Sequence, residues 1–464
     1  MKKLMSALVA LASLTVFTSA LAAAAPASFV KTGKVITVTK TPQGGDQRTN
    51  IQAALDGALP GDVVQLSNEV FEVSGAPGRA YSLKLPASVM LEGPAVLLLA
   101  AGAPGGTTVL FLDGADSASV ANLKIDGNRD TQSADVHRHG IVIQNSLGVQ
   151  LAGVESSNNT GDGLWASTGT AHLQVSELST SRNGHNGMTL GGSATDIVVK
   201  DSQFLGNSVQ QFSTETGGPV FVSDVELAGC KFDPEDASQD FVLTIAGSGT
   251  NTRSLDWSVH DNIINGGVNV MLADAVQLYK NSGANLTAKP SVMVSRVCSD
   301  ISIEGNTFKM VQETQDAVGV IYALGAAAGG VKQLRIKDNR LVTVSSRQQN
   351  GVRLEGIESA IVVGNDIRGS GLANNSAGIY LRATIPALPF KSAVIAGNYI
   401  LNSGLAGITC QGNGTAELTQ LVVTNNVFDN NGGRMTTATN LNADGQGAAK
   451  LVTLSGSVKL NGVQ

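Results

Sequence analysis

Most of this chain repeats one short unit, in which an apolar residue, two linking residues, a small or amide residue and one variable residue precede a final apolar residue. Examples are VHDNII ending at Ile264, IEGNTF ending at Phe308 and IKDNRL ending at Leu341. The fourth position of successive units is occupied by Ser202, Cys230, Asn262, Asn306, Asn339, Asn365, Asn398 and Asn426. Strand-length alternation that recurs with turn residues and no helical pattern predicts a solenoid, because each repeat buries its apolar face only against its neighbours. We expect an all-β fold, a single-stranded right-handed parallel β-helix.

The recurrence of asparagine at the fourth position of the unit, here called the asparagine column, has a physical reason. A turn amide or carbonyl that faces the core needs a partner, and amide side chains stacked along the axis supply one. The column residues recur after about two dozen residues or more, so we interpret longer intervals as coils that carry inserted loops. The longest interval runs from Asn262 to Asn306 and predicts a large loop that walls a binding surface.

Composition indicates one exported domain. Met1-Lys2-Lys3, an apolar stretch from Leu4 to Phe17, and Ala20-Leu21-Ala22 have the layout of a secretory signal peptide, so we expect residues 1–22 to be removed and residues 23–464 to form one domain. No other run is long and apolar enough to span a membrane. The predicted location is therefore the periplasm or the cell exterior.

The net charge excludes some classes of partner, and the cysteine content bears on disulfide formation. The formal charge of −6 argues against a nucleic acid or an anionic membrane surface. Three cysteines are an odd number, and Cys230 and Cys410 fall on inward positions, so we interpret them as small core residues rather than a disulfide framework.

The segment before the repeats predicts a cap. Thr49-Asn50 is a helix start signal ahead of an apolar stripe, Pro60-Gly61-Asp62 stops the helix, and Val63–Leu66 is typical of a strand. This segment forms a predicted cap at about residues 46–66, in which the short helix would cover the open end of the solenoid. This stretch, IQAAL followed by PGDVV, resembles the entry segment of the pectate-lyase-like superfamily, which implies the β-helix fold.

The outer face is where function is expected, because strand alternation fixes which side chains point outward. Four coils align on Gly140, Gly163, Gly187 and Gln211, about two dozen residues apart. The turn residues just before these positions are His139, Asp162, Asn186 and Gln210, and the outward strand positions are Val142, Trp165, Thr189 and Ser213, then Gln144, Ser167, Gly191 and Glu215.

This polar ladder contains a candidate site. Neighbouring coils are about 4.8 Å apart, so His139 and Asp162 can approach, and a carboxylate beside an imidazole favours a general base or acid. Arg182 and His185 lie in the next turn, where a guanidinium could hold a substrate carboxylate. The predicted catalytic residues are His139, Asp162, Arg182 and His185, and the predicted substrate-binding residues are Arg138, Gln144, Trp165, Asn186, Gln210 and Glu215.

A structural role is the alternative for each of these residues. Turn positions of any solenoid are polar because they face water, and Arg182 could be a surface partner of Asp162 or Glu155. Trp165 is either an exposed platform for a sugar ring or a residue covered by a loop.

The segment IDGNRD, from Ile125 to Asp130, resembles part of the mannuronan C5-epimerases and related β-helix proteins that act on uronate polysaccharides. The resemblance implies a uronate-containing polysaccharide as partner. Where the epimerase pattern has aspartate, proline and histidine, this chain has Trp165-Ala166-Ser167, so the epimerase catalytic set is absent at those positions.

Three functions remain open. A lyase needs a base and a positive group for the developing enolate, which His139 or His185 and Arg138 or Arg182 could provide. A calcium ion held by Asp126 and Asp130 could replace the guanidinium. A glycoside hydrolase would use paired acids, and a noncatalytic binding or envelope protein would use only the surface. We favour the lyase.

Overall fold

The computed structural model describes residues 29–464 apart from several short segments. The segments outside the description are 42–43, 135, 218–220, 235–238, 250–251, 288, 312–317, 327–328, 344–348, 371–375, 384–389, 405, 413–419, 430, 432–440, 445–451, 456–458 and 462–464. The predicted signal peptide also lies outside the described residues.

The described chain winds into a parallel β-solenoid in which each coil adds a strand to three sheets, named A, B and C here. Sheet A contains Phe29–Thr32, Val35–Val38, Val63–Leu66, Met90–Glu92, Ser119–Ala121, Gln150–Ala152, Ala171–Ser176, Thr195–Lys200, Ser223–Ala228, Ser254–His260, Ala273–Tyr279, Cys298–Glu304, Val331–Lys337, Ser359–Val363, Ser392–Ala396, Gln420–Thr424 and Val452–Ser455. Sheet B contains Val70–Val73, Val96–Leu99, Lys124–Asp126, Glu155–Ser157, Ser179–Ser181, Gln203–Leu205, Lys231–Asp233, Ile263–Ile264, Ser282–Asn285, Thr307–Met310, Arg340–Thr343, Asp366–Arg368, Tyr399–Leu401, Val427–Asp429 and Lys459–Asn461. Sheet C contains Tyr81–Lys84, Thr108–Asp113, Ile141–Gln144, Leu164–Ala166, Met188–Gly191, Phe212–Glu215, Leu243–Ala246, Val268–Met271, Val292–Arg296, Val318–Gly325, Gln349–Glu355, Ala377–Ala383, Ala406–Gly412 and Leu441–Asp444. The predicted β-helix fold is confirmed.

The predicted N-terminal helix spans Arg48–Asp56, so it begins slightly before the Thr49-Asn50 signal. Its Ile51 and Leu55 are fully buried against the first coil. The Gln52 side chain accepts from the Lys84 backbone N–H at 2.8 Å and donates to the Lys84 carbonyl at 3.0 Å. Lys84 ends the first strand of sheet C, so the helix supplies partners for an edge that no other coil covers. Among the described residues, no helix is long and apolar enough to cross a membrane.

The asparagine ladder stands between sheets A and B. Asn306 is representative: its amide donates to the Leu278 carbonyl at 2.8 Å and to the Asn339 Oδ1 at 3.0 Å. Its own Oδ1 accepts from the Asn281 backbone at 2.9 Å and from the Asn281 amide at 3.0 Å. The residue before each ladder asparagine has positive φ, as at Gly305 (62°) and Asp338 (52°). Glycine, aspartate and asparagine adopt this conformation most readily, which explains why the repeat reads GN, DN or NN.

The predicted large loop between Asn262 and Asn306 is wrong. These residues form a complete extra coil with strands Val268–Met271, Ala273–Tyr279 and Ser282–Asn285. Asn281 is its ladder residue and bonds to Asn262 at 2.9 Å. This coil is short, since Asn281 follows Asn262 by only 19 positions. At least about two dozen residues per coil were expected, and for that reason this coil was not identified from the sequence.

Apolar side chains fill the interior. The Phe204 and Phe232 rings stack with centroids 5.1 Å apart, and Phe212 meets Trp257 edge to face. Cys230, Cys298 and Cys410 are buried free thiols, as the sequence predicted for Cys230 and Cys410.

Candidate functional site

The outer face of sheet C carries the predicted ladder in register. Val142 pairs with Trp165, Trp165 with Thr189, and Thr189 with Ser213. Inward neighbours such as Leu164 and Met188 are fully buried. The alternation therefore places turn and outward residues of successive coils side by side.

Asp162 is the centre of the site. It is 2 % exposed, although it lies in a turn. Its Oδ1 lies 2.7 Å from the His185 Nδ1 and accepts the Asn186 backbone N–H at 2.9 Å. Its Oδ2 lies 3.4 Å from the His139 Nδ1. Burial alone would raise the pKa of Asp162, but the His185 imidazole and the other polar neighbours of the carboxylate outweigh burial and hold this pKa well below the usual carboxyl range. The carboxylate therefore stays ionised.

The two histidines differ in which ring nitrogen carries the proton. The Asp162 backbone N–H donates to the His139 Nδ1 at 3.0 Å, which is closer than the carboxylate contact to the same atom. A nitrogen that accepts from an N–H carries no proton, so neutral His139 holds its proton on Nε2. His185 instead donates through Nδ1 to the Asp162 carboxylate, which leaves Nε2 of the neutral ring able to accept a proton.

Asp162 also strengthens His185 as a base. The hydrogen bond to Asp162 raises the pKa of His185, burial opposes this, and the charges of Asp162 and Glu215 add to the increase. The His185 Nε2 lies 3.7 Å from the Glu215 Oε1. His137, which the sequence did not assign to the site, is exposed and its ring centroid lies 4.8 Å from that of His185. The geometry thus leaves a ring nitrogen able to accept a proton on His185, whereas the Nδ1 of His139 already accepts a backbone N–H.

Trp165 differs from the predicted open platform. The side chain is only half-exposed, its ring centroid lies 4.8 Å from that of His139, and its Nε1 is buried without a hydrogen-bond partner. Gly191 makes room for the indole, because a Cβ at that position would meet Nε1 at 2.9 Å. The Asn186 Oδ1 is likewise buried without a partner, whereas its amide donates to Glu215 at 2.8 Å. One orphaned donor and one orphaned acceptor beside Asp162 match the needs of a hydroxyl-rich ligand.

Arg138 is not placed to bind substrate. Its guanidinium is buried and donates to the backbone carbonyls of Ala103, Pro104, Ser133 and Val136. These bonds fix the loop before His139 and occupy the guanidinium, so the substrate-binding role of Arg138 stays a prediction. A sequence cannot reveal this, because the acceptors are main-chain carbonyls, two of them in the preceding coil.

Gln144 and Gln210 have partners of their own. Gln144 donates to Asp113 at 3.2 Å, and Gln210 donates to Thr244 at 2.8 Å. Neither contact involves the Asp162 cluster.

The structure does not gather the predicted metal ligands. Asp126 accepts from the Asn128 backbone at 2.9 Å and the Asn158 amide at 3.2 Å, while Asp130 lies in the 3-10 turn Arg129–Thr131. Within the described ranges, no group of three histidine, cysteine, aspartate or glutamate side chains could hold a metal ion. Asp126 thus has a role in its turn, and the calcium site stays a prediction.

Arg182 lies in the turn that also contains His185. It is exposed, has φ of 55°, and its carbonyl accepts from the Arg129 guanidinium at 3.2 Å. The Asp162 carboxylate contacts His139, His185 and Asn186.

A cavity of about 520 Å³ lies elsewhere, on the outer face of sheet A, between Tyr279 and Arg335. The Arg335 guanidinium lies 3.7 Å from the Asp300 carboxylate, and Ser302 donates to Glu304 at 2.6 Å. We place the candidate site at Asp162 instead, where the buried polar atoms Trp165 Nε1 and Asn186 Oδ1 lack partners.

Sequence reasoning missed a second cluster on sheet C. Tyr322, Arg353 and Tyr380 are consecutive neighbours across three strands, and Glu355 pairs with Arg382 one step further along. The signal was present in the segments GVRLE and GIYLR, which align on Gly351 and Gly378 as the earlier coils align on Gly140 and Gly163.

Comparison with known proteins agrees with this architecture. A family model described as right handed beta helix region matches residues 108–283 and 293–446. No curated protein sequence matches the chain.

Solved structures share the fold at low identity. The tailspike protein of Escherichia coli bacteriophage HK620, determined in complex with a pentasaccharide, is 15% identical with a TM-score of 0.59, covering 90% of this chain and 78% of that one. The A-module of an Azotobacter vinelandii mannuronan C-5 epimerase is 15% identical with a TM-score of 0.46, covering 90% and 96%. A polygalacturonase from Erwinia carotovora ssp. carotovora is 12% identical with a TM-score of 0.39, covering 90% and 96%. At these identities the comparisons establish the fold alone.

Proposed function

We propose that this chain, which belongs to the right-handed β-helix family, binds a uronate-containing polysaccharide on the outer face of sheet C and cleaves it by β-elimination. The observation that carries the proposal is the buried Asp162 carboxylate bonded at 2.7 Å to the Nδ1 of His185. This contact orients the ring and leaves Nε2 as a base with a raised pKa.

The proposed reaction assigns each role to a residue of the Asp162 cluster or of the turn beside it. His185 Nε2 takes the proton from the carbon next to the uronate carboxylate, and the electron pair left behind forms a carbon–carbon double bond. The bond to the glycosidic oxygen breaks, and that oxygen leaves with a proton from solvent. His139 can donate a hydrogen bond from Nε2 to the sugar, since its Nδ1 is occupied by a backbone N–H. Arg182 is the proposed partner for the developing enolate charge.

Saccharide binding has separate support. The tailspike of bacteriophage HK620 was determined with a bound pentasaccharide, and its fold is shared over 90% of this chain. The unpartnered Trp165 Nε1 and Asn186 Oδ1 provide a donor and an acceptor for sugar hydroxyls. The half-exposed face of Trp165 provides an apolar surface for a ring.

Hydrolysis is the less favourable alternative. A glycosidase needs one carboxyl group that is protonated and can act as an acid. The low pKa of Asp162 and its bonds to His185 and Asn186 make it an orienting group instead. In the part of the chain that the structure describes, Glu215 is then the other carboxylate in contact with His185.

The test is a screen against alginate, polygalacturonate and neutral glucans, following absorbance near about 235 nm for unsaturated products and reducing ends in parallel. His185→Ala should reduce turnover by about a hundredfold or more, as expected for the loss of a general base. His172→Ala is the matched control, because His172 also contacts an aspartate, Asp196, but lies exposed on sheet A.

Three outcomes would contradict the proposal. New reducing ends without absorbance would establish a hydrolase. Equal turnover by wild type and His185→Ala would remove His185 as the base. Saccharide binding without turnover on any polymer would favour a binding protein.

Export is part of the proposal, and the N-terminal sequence of the mature protein tests it.

A further inference from the structure

The second cluster on sheet C, here called the arginine clamp, consists of Tyr322, Arg353, Glu355, Tyr380 and Arg382. The Arg353 guanidinium carbon lies 5.3 Å from the ring centroid of Tyr322 and 5.3 Å from that of Tyr380. Its Nε donates to the Glu355 Oε1 at 2.6 Å, and a second guanidinium nitrogen contacts the same oxygen. The clamp is therefore an ordered stack held by charge and by aromatic faces.

The clamp lies on the outer face of the sheet. Val352 and Leu354 point into the core and are fully buried, so Arg353 and Glu355 must point outward. Even so, Arg353 is 9 % exposed and Glu355 is 5 % exposed. Buried ion pairs contribute little to stability because both charges lose their hydration, so such a group on an outer face indicates a role beyond folding.

The charges of the clamp do not cancel. The Arg382 Nη1 lies 3.7 Å from the Glu355 Oε1, so two guanidinium groups share one carboxylate. In the described part of the structure, the Arg382 Nε is buried and has no hydrogen-bond partner. Thr409, which is 4 % exposed and follows Tyr380 across the sheet, also has a buried hydroxyl without a partner. Excess positive charge with an unused guanidinium donor is what a carboxylate ligand requires.

The clamp and Trp165 occupy one outward row. The row runs through Trp165, Thr189, Ser213, Thr244, Asn269, Met293, Tyr322, Arg353, Tyr380 and Thr409. Seven strand spacings separate Trp165 from Arg353, which is about 34 Å at about 4.8 Å per strand. A polymer lying along sheet C would reach both places, whereas a short oligosaccharide would not.

We propose that the arginine clamp is a second binding site, which holds a uronate carboxylate of the same polysaccharide against Arg382 while another part of that chain occupies the Asp162 site. The inference rests on the proposed function for its ligand class. Two sites on one polymer raise the apparent affinity through effective concentration, so the clamp makes this protein selective for long anionic chains.

The test compares binding of polygalacturonate and alginate, as long polymers and as short oligomers, by wild type and Arg382→Gln, with dextran as a neutral polymer. Arg382→Gln should weaken binding of the long polyuronates by about tenfold or more, with a smaller loss for short oligomers. Arg368→Gln is the matched control, because Arg368 also bonds to a carboxylate, Asp366, and lies 5.9 Å from the Tyr399 ring, but on sheet B. Circular dichroism of both variants shows whether the fold is retained.

Equal binding of long polyuronates by folded Arg382→Gln and wild type would overturn the proposal, as would an equal loss for dextran. The same measurements in a His185→Ala background separate the two proposals. If His185→Ala leaves turnover unchanged but Arg382→Gln still loses polyuronate binding, the clamp stands and the elimination mechanism fails.

Discussion

Replacing Asn306 by alanine tests the asparagine ladder most directly. The substitution removes two bonds that the Asn306 amide donates, to the Leu278 carbonyl and to Asn339, and two that its Oδ1 accepts from Asn281. Asn306 is 1 % exposed, so water cannot replace these partners without opening the turn. At about 1 kcal/mol net for each hydrogen bond, we expect the free energy of unfolding to fall by about 4 kcal/mol.

Urea unfolding followed by far-ultraviolet circular dichroism measures this loss, and Thr307→Ala is the control because Thr307 is the next residue and is exposed. Solenoids can unfold in stages, so a transition with several steps should show the loss in the step that includes Asn306. Asn339→Ala should cost a similar amount, since Asn339 makes the equivalent contacts to Ile303 and Asn365. A loss within about 1 kcal/mol of the Thr307→Ala value would refute the reasoning that the ladder bonds are buried and needed.

Three further predictions concern the site and the core. Folding lowers the pKa of Asp162 below 3.8, so the stability that Asp162 contributes is lost as the pH falls through its folded pKa. Folding raises the pKa of His185 above 6.5, so the stability that His185 contributes is lost as the pH rises through its folded pKa. The difference in unfolding free energy between wild type and Asp162→Asn should therefore be largest between about pH 4 and pH 6.5, and a flat difference across denaturation series at several pH values would contradict this. Gly191→Ala should displace the Trp165 indole and change the tryptophan fluorescence, whereas Gly217→Ala, which has nothing within 4 Å of its new Cβ, should not; identical spectra for both variants would count against the contact. The thiols of Cys230, Cys298 and Cys410 should resist a thiol reagent in the folded protein and react in urea, because burial raises their pKa values to about 11 or about 12. Fast labelling of the native protein would contradict their core positions.

The repeat pattern was sufficient for the fold because it records local geometry. A ladder asparagine preceded by glycine, aspartate or asparagine marks a turn that needs positive φ and a stacked amide, and both requirements are readable residue by residue. Asn281 was missed because its predecessor, Lys280, also has positive φ but does not belong to the usual turn residues. In addition, the coil between Asn262 and Asn281 is shorter than the repeat length that the prediction assumed.

The sequence also located the region of the site. Aligning coils on Gly140, Gly163 and Gly187 placed His139 beside Asp162, and the structure brings these residues into contact. The alignment ended at Gln211, so the arginine clamp was not predicted, although Gly351 and Gly378 mark the same register.

By itself, the sequence determined the sheets, their register and the side chains that face outward, because strand alternation and turn preferences are local properties. Only the tertiary structure decided how those side chains pair. Arg138 donates to main-chain carbonyls, and His139 accepts a backbone N–H while His185 donates to Asp162. Those choices depend on distances of a few ångströms between coils about two dozen residues apart, and hydrogen-bond direction and burial follow from such distances rather than from residue type.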